Sequence, residues 1–550
     1  MQKIFLVSLL WVGIHSGALT QTPVLVKEIN PGISFGIWSS QSAILNDKLY
    51  FIGDDPTNGE ELWVSDGTES GTYMIKDIYP GTNYPGVTDF LIPFKGKLYF
   101  RGVGPNVNTE LWSTDGTEAG TVLHFEGCPG DCQSNISYMV SNGDTAFFSL
   151  NAQGQTELYY TDGTTAGTGI VTDISGPIFS SGVSKLVTYN GKVYFSADGE
   201  DGNYFELWVS DGTESGTHLV KNLSPVGSSE PGVKIVYGDY FYFLAKSNIT
   251  GRELYKSDGT EAGTVLVKDI NLGTGDGVDP NYDFTNSFYF NGKIYFRGND
   301  GVSGEELWST DGTEAGTQLV KDINPGNGDS DPIFMGELNG QLIFSAITDD
   351  TGRELWISDG TEAGTQMLVE INPTGSGPHF ILPSMQFQNF IFFIGDDGVN
   401  GRELWVTDGT VAGTEMVADL DPSAEAWPNL LGIVNNTLFF SAQTPASGRE
   451  LWKLDLTPLS TKSERPEVTF VVTPSISETA QFGITYQTKE LKGGHIQVSN
   501  INGQIIFNQD IQPGYTPINF GSSAPGIYFI TVFEPNATPT TKKFVLTRSR

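Results

Sequence analysis

Glu61-Leu-Trp-Val-Ser-Asp-Gly-Thr-Glu-Ser-Gly-Thr72 is the first full copy of a motif that returns from Glu110, Glu157, Glu206, Glu253, Glu306, Glu354 and Glu403, and in truncated form from Glu450. Its aromatic falls at Trp63, Trp112, Tyr159, Trp208, Tyr255, Trp308, Trp356, Trp405 and Trp452, in steps of 49, 47, 49, 47, 53, 48, 49 and 47 residues. A period of about fifty, made of short strands and turn residues, fits one four-stranded propeller blade per repeat. Solenoid units are shorter and carry helical patterns, and no unit here shows an amphipathic helix.

Each unit offers four strands. In the second they are Met74–Ile78, Asp89–Pro93, Lys97–Phe100 and Glu110–Thr114. The Lys97-Leu-Tyr-Phe run recurs as Lys48-Leu-Tyr-Phe, Lys192-Val-Tyr-Phe and Lys293-Ile-Tyr-Phe. Such runs are apolar on both faces, as suits a strand covered on each side by a neighbouring sheet. Asp-Gly-Thr-x-x-Gly-Thr reads as a hairpin connection, with Asp-Gly favouring positive φ, the later Gly a second permissive position, and the Thr pair bonding locally to backbone.

Two recurring acids invite a chemical reading. Asp66, Asp115, Asp162, Asp211, Asp258, Asp311, Asp359 and Asp408 offer oxygen ligands. A turn is needed in every blade and a metal site is not, so the structural reading leads. Glu61, Trp63 and Ser65 share one face of their strand. A Glu in every unit points to bonding with backbone or a neighbouring blade. Arg252, Arg353, Arg402 and Arg449, each just before that Glu, are placed to pair with acidic neighbours and read as rim contacts, worth about 0–1 kcal/mol each if exposed.

Both ends of the repeat array are incomplete. Val24-Leu-Val-Lys-Glu-Ile-Asn-Pro-Gly32 is a second half without a first, and Glu450-Leu-Trp-Lys-Leu-Asp455 is a first half without a second. Pairing the N-terminal strand into the last blade closes the ring and removes exposed edges. The expected fold is all-β: a closed β-propeller of nine four-stranded blades, with eight as the alternative count, followed by a small Ig-like β-sandwich.

Residues 1–20 have Lys3, an apolar run Ile4–Ile14 and the small exit Ser16-Gly17-Ala18. That is a secretory signal, too short for a span of about 20 apolar residues. The propeller occupies 21–455, a linker 456–466 and the terminal module 467–550. Cys128 and Cys132 are the only cysteines. They read as a local loop disulfide in an exported protein.

Charge narrows the partners. The chain holds 30 basic and 65 acidic residues, for −35, which repels nucleic acid and anionic membranes. No cofactor is implied. Acidic solubility accounts for the balance, with calcium on loops such as Asp396-Asp397-Gly-Val-Asn-Gly as the alternative. The variable loops, among them Asn30–Gln41, Asp54–Glu60, Glu126–Ile136 and Asp421–Leu430, emerge on one face of the ring by strand alternation. Binding concentrates on such loops. Trp38 and Trp427 there are candidate stacking residues for sugar or protein, with loop packing as the leading reading.

Past the linker, strands are expected over Val468–Thr473, Phe482–Gln487, His495–Ser499, Gln504–Asn508, Ile527–Phe533 and Lys543–Thr547. The run His495-Ile-Gln-Val-Ser-Asn-Ile-Asn-Gly-Gln-Ile-Ile, then Ala524-Pro-Gly-Ile-Tyr-Phe-Ile-Thr-Val, then Lys542-Lys-Phe-Val-Leu resembles the C-terminal sorting domain of the type IX secretion system of Bacteroidetes. The family's usual Tyr-Pro-Asn-Pro opening is replaced by Val472-Thr-Pro-Ser. The resemblance implies passage through the outer membrane by the type IX machinery, removal of the module and often surface attachment. Residues before 456 resemble bacterial Glu-Leu-Trp-x-x-Asp-Gly-Thr repeat proteins, a family generally without assigned activity.

The two functions in view are a secreted or surface-displayed binding scaffold for glycan or protein, and a secreted carbohydrate-active enzyme. Glycoside hydrolysis wants two carboxylates about 5–9.5 Å apart. None of His15, His124, His218, His379 and His495 sits in a nucleophile motif. No catalytic residue is assigned.

Overall fold

The computed structural model describes residues 22–457, apart from 33, 83, 104–107, 129–133, 177–178, 200–203, 233, 280–286 and 379–383, together with the strands of the terminal module. The export signal, Cys132 and most of the linker lie outside the described residues. The chain divides into two units, Met1–Leu456 and Thr457–Arg550.

The first unit is a ring of nine four-stranded antiparallel sheets. Blade 1 is Ser42–Leu45, Lys48–Asp55, Gly59–Ser65 and Tyr73–Lys76, hydrogen-bonded in that order. Blades 2 to 8 repeat this pattern. Blade 9 takes Asn429–Val434, Thr437–Thr444 and Ser447–Asp455 from the far end of the ring and its fourth strand, Val24–Lys27, from the near end. The first strands meet from blade to blade, Ser42–Leu45 against Asn429–Val434 included, so they encircle the axis and the fourth strands form the rim. The nine-blade count and the closure by the N-terminal strand are as the half-repeats require.

The core lies between blades. Leu98, Tyr99 and Phe100 of the second strand of blade 2 are all fully buried, because one face packs on the preceding blade and the other on the next. A single cluster joins Phe290, Tyr295 and Leu307 of blade 6 to Leu342, Phe344 and Trp356 of blade 7. Each such side chain contributes about 1.5–3 kcal/mol through burial. Polar latches cross the same seams. Lys27, Lys76, Lys221, Lys268 and Lys321 of the fourth strands donate to the carbonyls of Thr72, Thr121, Thr264, Thr317 and Thr365 in the next blade. His124 takes this place in blade 2, its Nε2 3.1 Å from the hydroxyls of Thr161 and Thr168.

The motif hairpin is held by its own side chains. Asp66 Oδ1 accepts from Thr68 N at 2.9 Å and Thr68 Oγ1 at 2.7 Å, and Thr72 Oγ1 donates to Thr68 O at 2.7 Å. Gly67 has φ +88°, as Asp-Gly predicts. Gly71 does not have positive φ, which corrects the expectation of a second permissive position. Its role is steric, since a Cβ there would lie 2.0 Å from Asp66 Oδ1. The motif Trp imposes a second glycine. A Cβ on Gly102 would lie 2.7 Å from Trp112 Cδ1, and Gly53, Gly298 and Gly395 meet Trp63, Trp308 and Trp405 likewise. Gly102→Ala is expected to lower stability by about 1–3 kcal/mol through overpacking. An unchanged denaturant midpoint would show that Trp112 can yield.

In the second unit, Phe470–Thr473, Gln481–Tyr486 and Tyr515–Asn519 form one sheet. Ile476–Ser477, Thr540–Leu546, Gly526–Phe533, His495–Asn500 and Ile505–Asp510 form the other, in that order. Tyr515–Asn519 and Ile476–Ser477 were not expected, and Ile476–Ser477 pairs in parallel with Val545–Leu546. No helix among the described residues is long and apolar enough to cross a membrane.

Candidate binding face

Two sets of loops share one face of the ring and are tied together by backbone. The loop between blades 1 and 2 donates from Gly86 N to Glu60 O in blade 1, and its Gly86 O accepts from Val103 N in blade 2, both at 2.8 Å. The same clamp recurs from Gly277 to Arg252 and Asn299, at 2.9 Å each.

The motif Glu fixes these loops from beneath. All nine copies are buried. Glu306 accepts from Ile323 N at 2.7 Å, Asn324 N at 3.2 Å and Ser330 Oγ at 2.7 Å. Glu354 accepts from Ile371 N and Asn372 N at 2.7 and 3.1 Å, and Glu450 from Ile29 N and Asn30 N at 2.6 and 3.2 Å. The loop's backbone donors cannot reach water here, and the carboxylate satisfies them. Burial pushes the Glu61 and Glu253 carboxyls up to about 8 and those of Glu306, Glu354, Glu403 and Glu450 to about 7, against the opposing pull of the backbone N–H bonds. Glu110, Glu157 and Glu206 are raised by the same burial. A raised carboxyl pKa in a cleft suggests a general acid. Nine copies engaged with backbone or hydroxyl donors are loop staples.

Arg252, Arg353 and Arg402 pair with acidic neighbours as expected, but two of them are not at the rim. Arg252 and Arg353 are 7% and 3% exposed, and so are buried ties rather than rim contacts. Arg252 Nη2 lies 2.5 Å from Glu230 Oε2, and Arg353 Nη1 donates to Asp331 O at 2.8 Å. Arg297 reaches the same Asp331 at 2.8 Å, so adjoining blades grip one loop residue. The partners sit in variable loops, and this is why repeat spacing could not reveal the burial.

The two tryptophans lie on the loops that flank blade 9. Trp38 is 57% exposed and Trp427 38% exposed. Trp38 packs edge-on to Phe35 with ring centroids 4.5 Å apart. The Arg402 guanidinium lies 4.0 Å from the centre of the Trp427 ring, and Arg449 lies 5.3 Å from that of Phe35. Both indoles are therefore held by neighbours and still present surface. Sequence reasoning missed Phe35, Arg402 and Arg449 as partners. The available signal was the Arg preceding the motif Glu.

Asp397 of the acidic loop accepts from Val399 N and Asn400 N at 2.9 and 2.7 Å, and Asp396 from Gly398 N at 2.7 Å. These carboxylates are employed in the turn. Among the described residues no group of three or more His, Cys, Asp or Glu is placed to hold a metal ion. Cys128 is buried and disulfide-bonded.

Residues 478–547 match the secretion system C-terminal sorting domain. The chain carries a type IX secretion tail. Export to the cell surface or the extracellular space follows from it. No curated protein matches the sequence. Among solved structures, similarity is found to a prolyl endopeptidase at 12% identity, covering 74% of this chain and 55% of that one with TM-score 0.37. A puromycin hydrolase is 13% identical, covering 66% and 60% with TM-score 0.35. A Mycobacterium tuberculosis puromycin-hydrolyzing peptidase is 11% identical, again covering 66% and 60% with TM-score 0.35. The chain spans 55–60% of the length of these enzymes, and at this similarity they bear on no functional point.

Proposed function

We propose that this is an exported propeller of the Glu-Leu-Trp-x-x-Asp-Gly-Thr repeat type, from the Bacteroidetes, whose loop face binds a glycan through Trp38 and Trp427. Residues 1–20 act as the signal for the first export step, and the tail hands the ring to the type IX machinery for release or surface attachment. The observation that carries the reading is the exposure of two braced indoles, 57% and 38%, on loops flanking one blade. A braced indole offers a flat apolar surface at little conformational entropy cost. An exposed Trp whose partners already hold it loses less freedom on binding than a loose one.

The test uses the full chain on a panel of immobilised polysaccharides, recording retention and reducing ends released. Retention is expected on at least one. Trp38→Ala with Trp427→Ala should weaken it about tenfold or more, with the melting temperature unchanged. Retention untouched by the double variant would remove the loop-face reading. Release of reducing ends would favour a carbohydrate-active enzyme, and retention on a protein partner alone would replace glycan by protein.

A further inference from the structure

The loop face carries a second apolar feature, across the ring from the tryptophans, since blades 4 and 5 lie opposite blade 9 in a closed ring of nine. From the junction of blades 3 and 4 onward, six successive loops each present one large apolar side chain to solvent: Phe179, Tyr204, Val226, Ile249, Leu272 and Val302. Each is between 43% and 84% exposed. Polar hairpins bound the run, with Gln153 in blade 3 and Asp349-Asp350 in blade 7. Apolar residues scattered singly over a surface are ordinary. Six on consecutive loops form a patch.

The six loops are joined in series, so the side chains ride on one surface. Asp198 N donates to Ser181 O at 2.8 Å, Ser229 N to Phe205 O at 3.0 Å and Lys246 N to Ser229 O at 2.7 Å. Arg252 N donates to Asp276 Oδ1 at 2.7 Å and Asn299 N to Gly277 O at 2.9 Å. Asn248 Nδ2 also donates to Val226 O, which ties the loops of Val226 and Ile249 together. The border of the patch is acidic. Residues 173–183, 198–205, 222–233, 246–252, 269–279 and 299–305 hold ten acidic residues against two basic ones, Lys246 and Arg252. Arg252 is buried and paired with Glu230.

We propose that this arc docks a cationic amphipathic polypeptide, its apolar stripe seated on the six side chains and its flanking Lys and Arg meeting the acids. An apolar centre with a charge-complementary border is the anatomy of a protein interface. A second copy would bring the same −35 to the contact, and an anionic membrane is repelled by it. Sugar rings stack on flat aromatic faces, and four of the six side chains are aliphatic. The arc shares no residue with the tryptophan site, so the two readings stand or fall separately.

Fluorescence anisotropy on the full chain would follow three labelled helical peptides: one of Leu and Lys with a continuous Leu face, one with Ser in place of Leu, and one with Glu in place of Lys. Saturable binding of the Leu/Lys peptide, about tenfold or more tighter than either control, is expected. Ile249→Ser with Leu272→Ser should weaken it about tenfold at an unchanged melting temperature, because both side chains already stand in water. Val399→Ser, at an exposed position of blade 8 outside the arc, should change nothing. Equal binding of the Ser/Lys peptide would reduce the arc to its charge and overturn the proposal, as would indifference to the double variant. Adsorption to phosphatidylcholine vesicles that the double variant loses, with no peptide binding, would replace the polypeptide by a lipid surface. Concentration-dependent dimers that the double variant dissolves would replace it by a second copy.

Discussion

Raising the pH from 5 to 9 is expected to lower the melting temperature of this protein. The cause is the nine buried glutamates. Their ordinary value is 4.5, and burial lifts six of them in the ring to between about 7 and about 8. Between 4.5 and those values the folded chain binds more protons than the unfolded chain, so unfolding becomes easier as pH rises. The contribution is fully present below about 4.5 and is lost as pH climbs through 7 to 8. On the acid side the sign reverses. Asp66, Asp115, Asp211, Asp258 and Asp311 are held below 3.8 chiefly by the Thr hydroxyl two residues on, and what they add is lost as pH falls below that value. The stability maximum should therefore lie at mildly acidic pH.

One unit of separation corresponds to about 1.4 kcal/mol per group, and two groups suffice for a few kcal/mol. For a chain of this size that is on the order of 5 °C or more. Melting curves at pH 5, 7 and 9, at fixed ionic strength, provide the check. A melting temperature that is flat or rising over that range would sink the account. Glu61 and Glu253 are the sharpest control, because their Oε2 atoms have no partner and are the natural seats for a proton. Glu61→Gln with Glu253→Gln should flatten the slope. High salt separates this effect from surface repulsion in a chain of −35, since screening weakens exposed charge pairs far more than buried ones.

What could be read without coordinates follows from what repetition encodes. The blade, its count and its closure were legible because Glu450–Asp455 and Val24–Gly32 are complementary halves of one unit. The hairpin was legible because Asp66, Thr68 and Thr72 recur at fixed offsets and bond one another. Gly71 was misread, since a sequence does not separate a glycine chosen for positive φ from one chosen to clear a carboxylate. The burial of Arg252 and Arg353 was missed because it depends on Glu230 and Asp331, which lie in loops that do not repeat. The strand Tyr515–Asn519 contains Pro517, and proline within a run masks a strand in the sequence. Trp38 and Trp427 stood out by residue type and position, while the stack on Arg402 required the loops to be placed.

Deleting residues 22–31 is expected to be the most damaging small change to the ring. The segment supplies the fourth strand of blade 9, pairing Val24 with Lys453, Leu25 with Trp452 and Lys27 with Leu451. It also places Val26 and Ile29 in a core cluster with Leu49 and Phe51 of blade 1 and Phe439 and Leu451 of blade 9. Glu450 loses both of its donors, Ile29 N and Asn30 N, and the latch from Lys27 to Thr72 O is cut. Two buried side chains at about 1.5–3 kcal/mol each, with a buried carboxylate left unpaired, reach on the order of 5 kcal/mol, a large part of the stability of a typical domain. The strand Ser447–Asp455 is left as an open edge of nine residues. Open edges recruit other chains, so the truncated protein should melt several degrees lower and elute as oligomers in light-scattering chromatography. Glu450→Ala, which keeps the strand and strips its two backbone N–H groups of their acceptor, should cost about 1–3 kcal/mol and remain monomeric. A truncated chain that stayed monomeric at an unchanged melting temperature would mean that the interblade cores of the other eight seams hold the ring without its closure. The contrast between the two variants measures how much of the ring's stability resides in the closing strand itself and how much in the carboxylate beneath it.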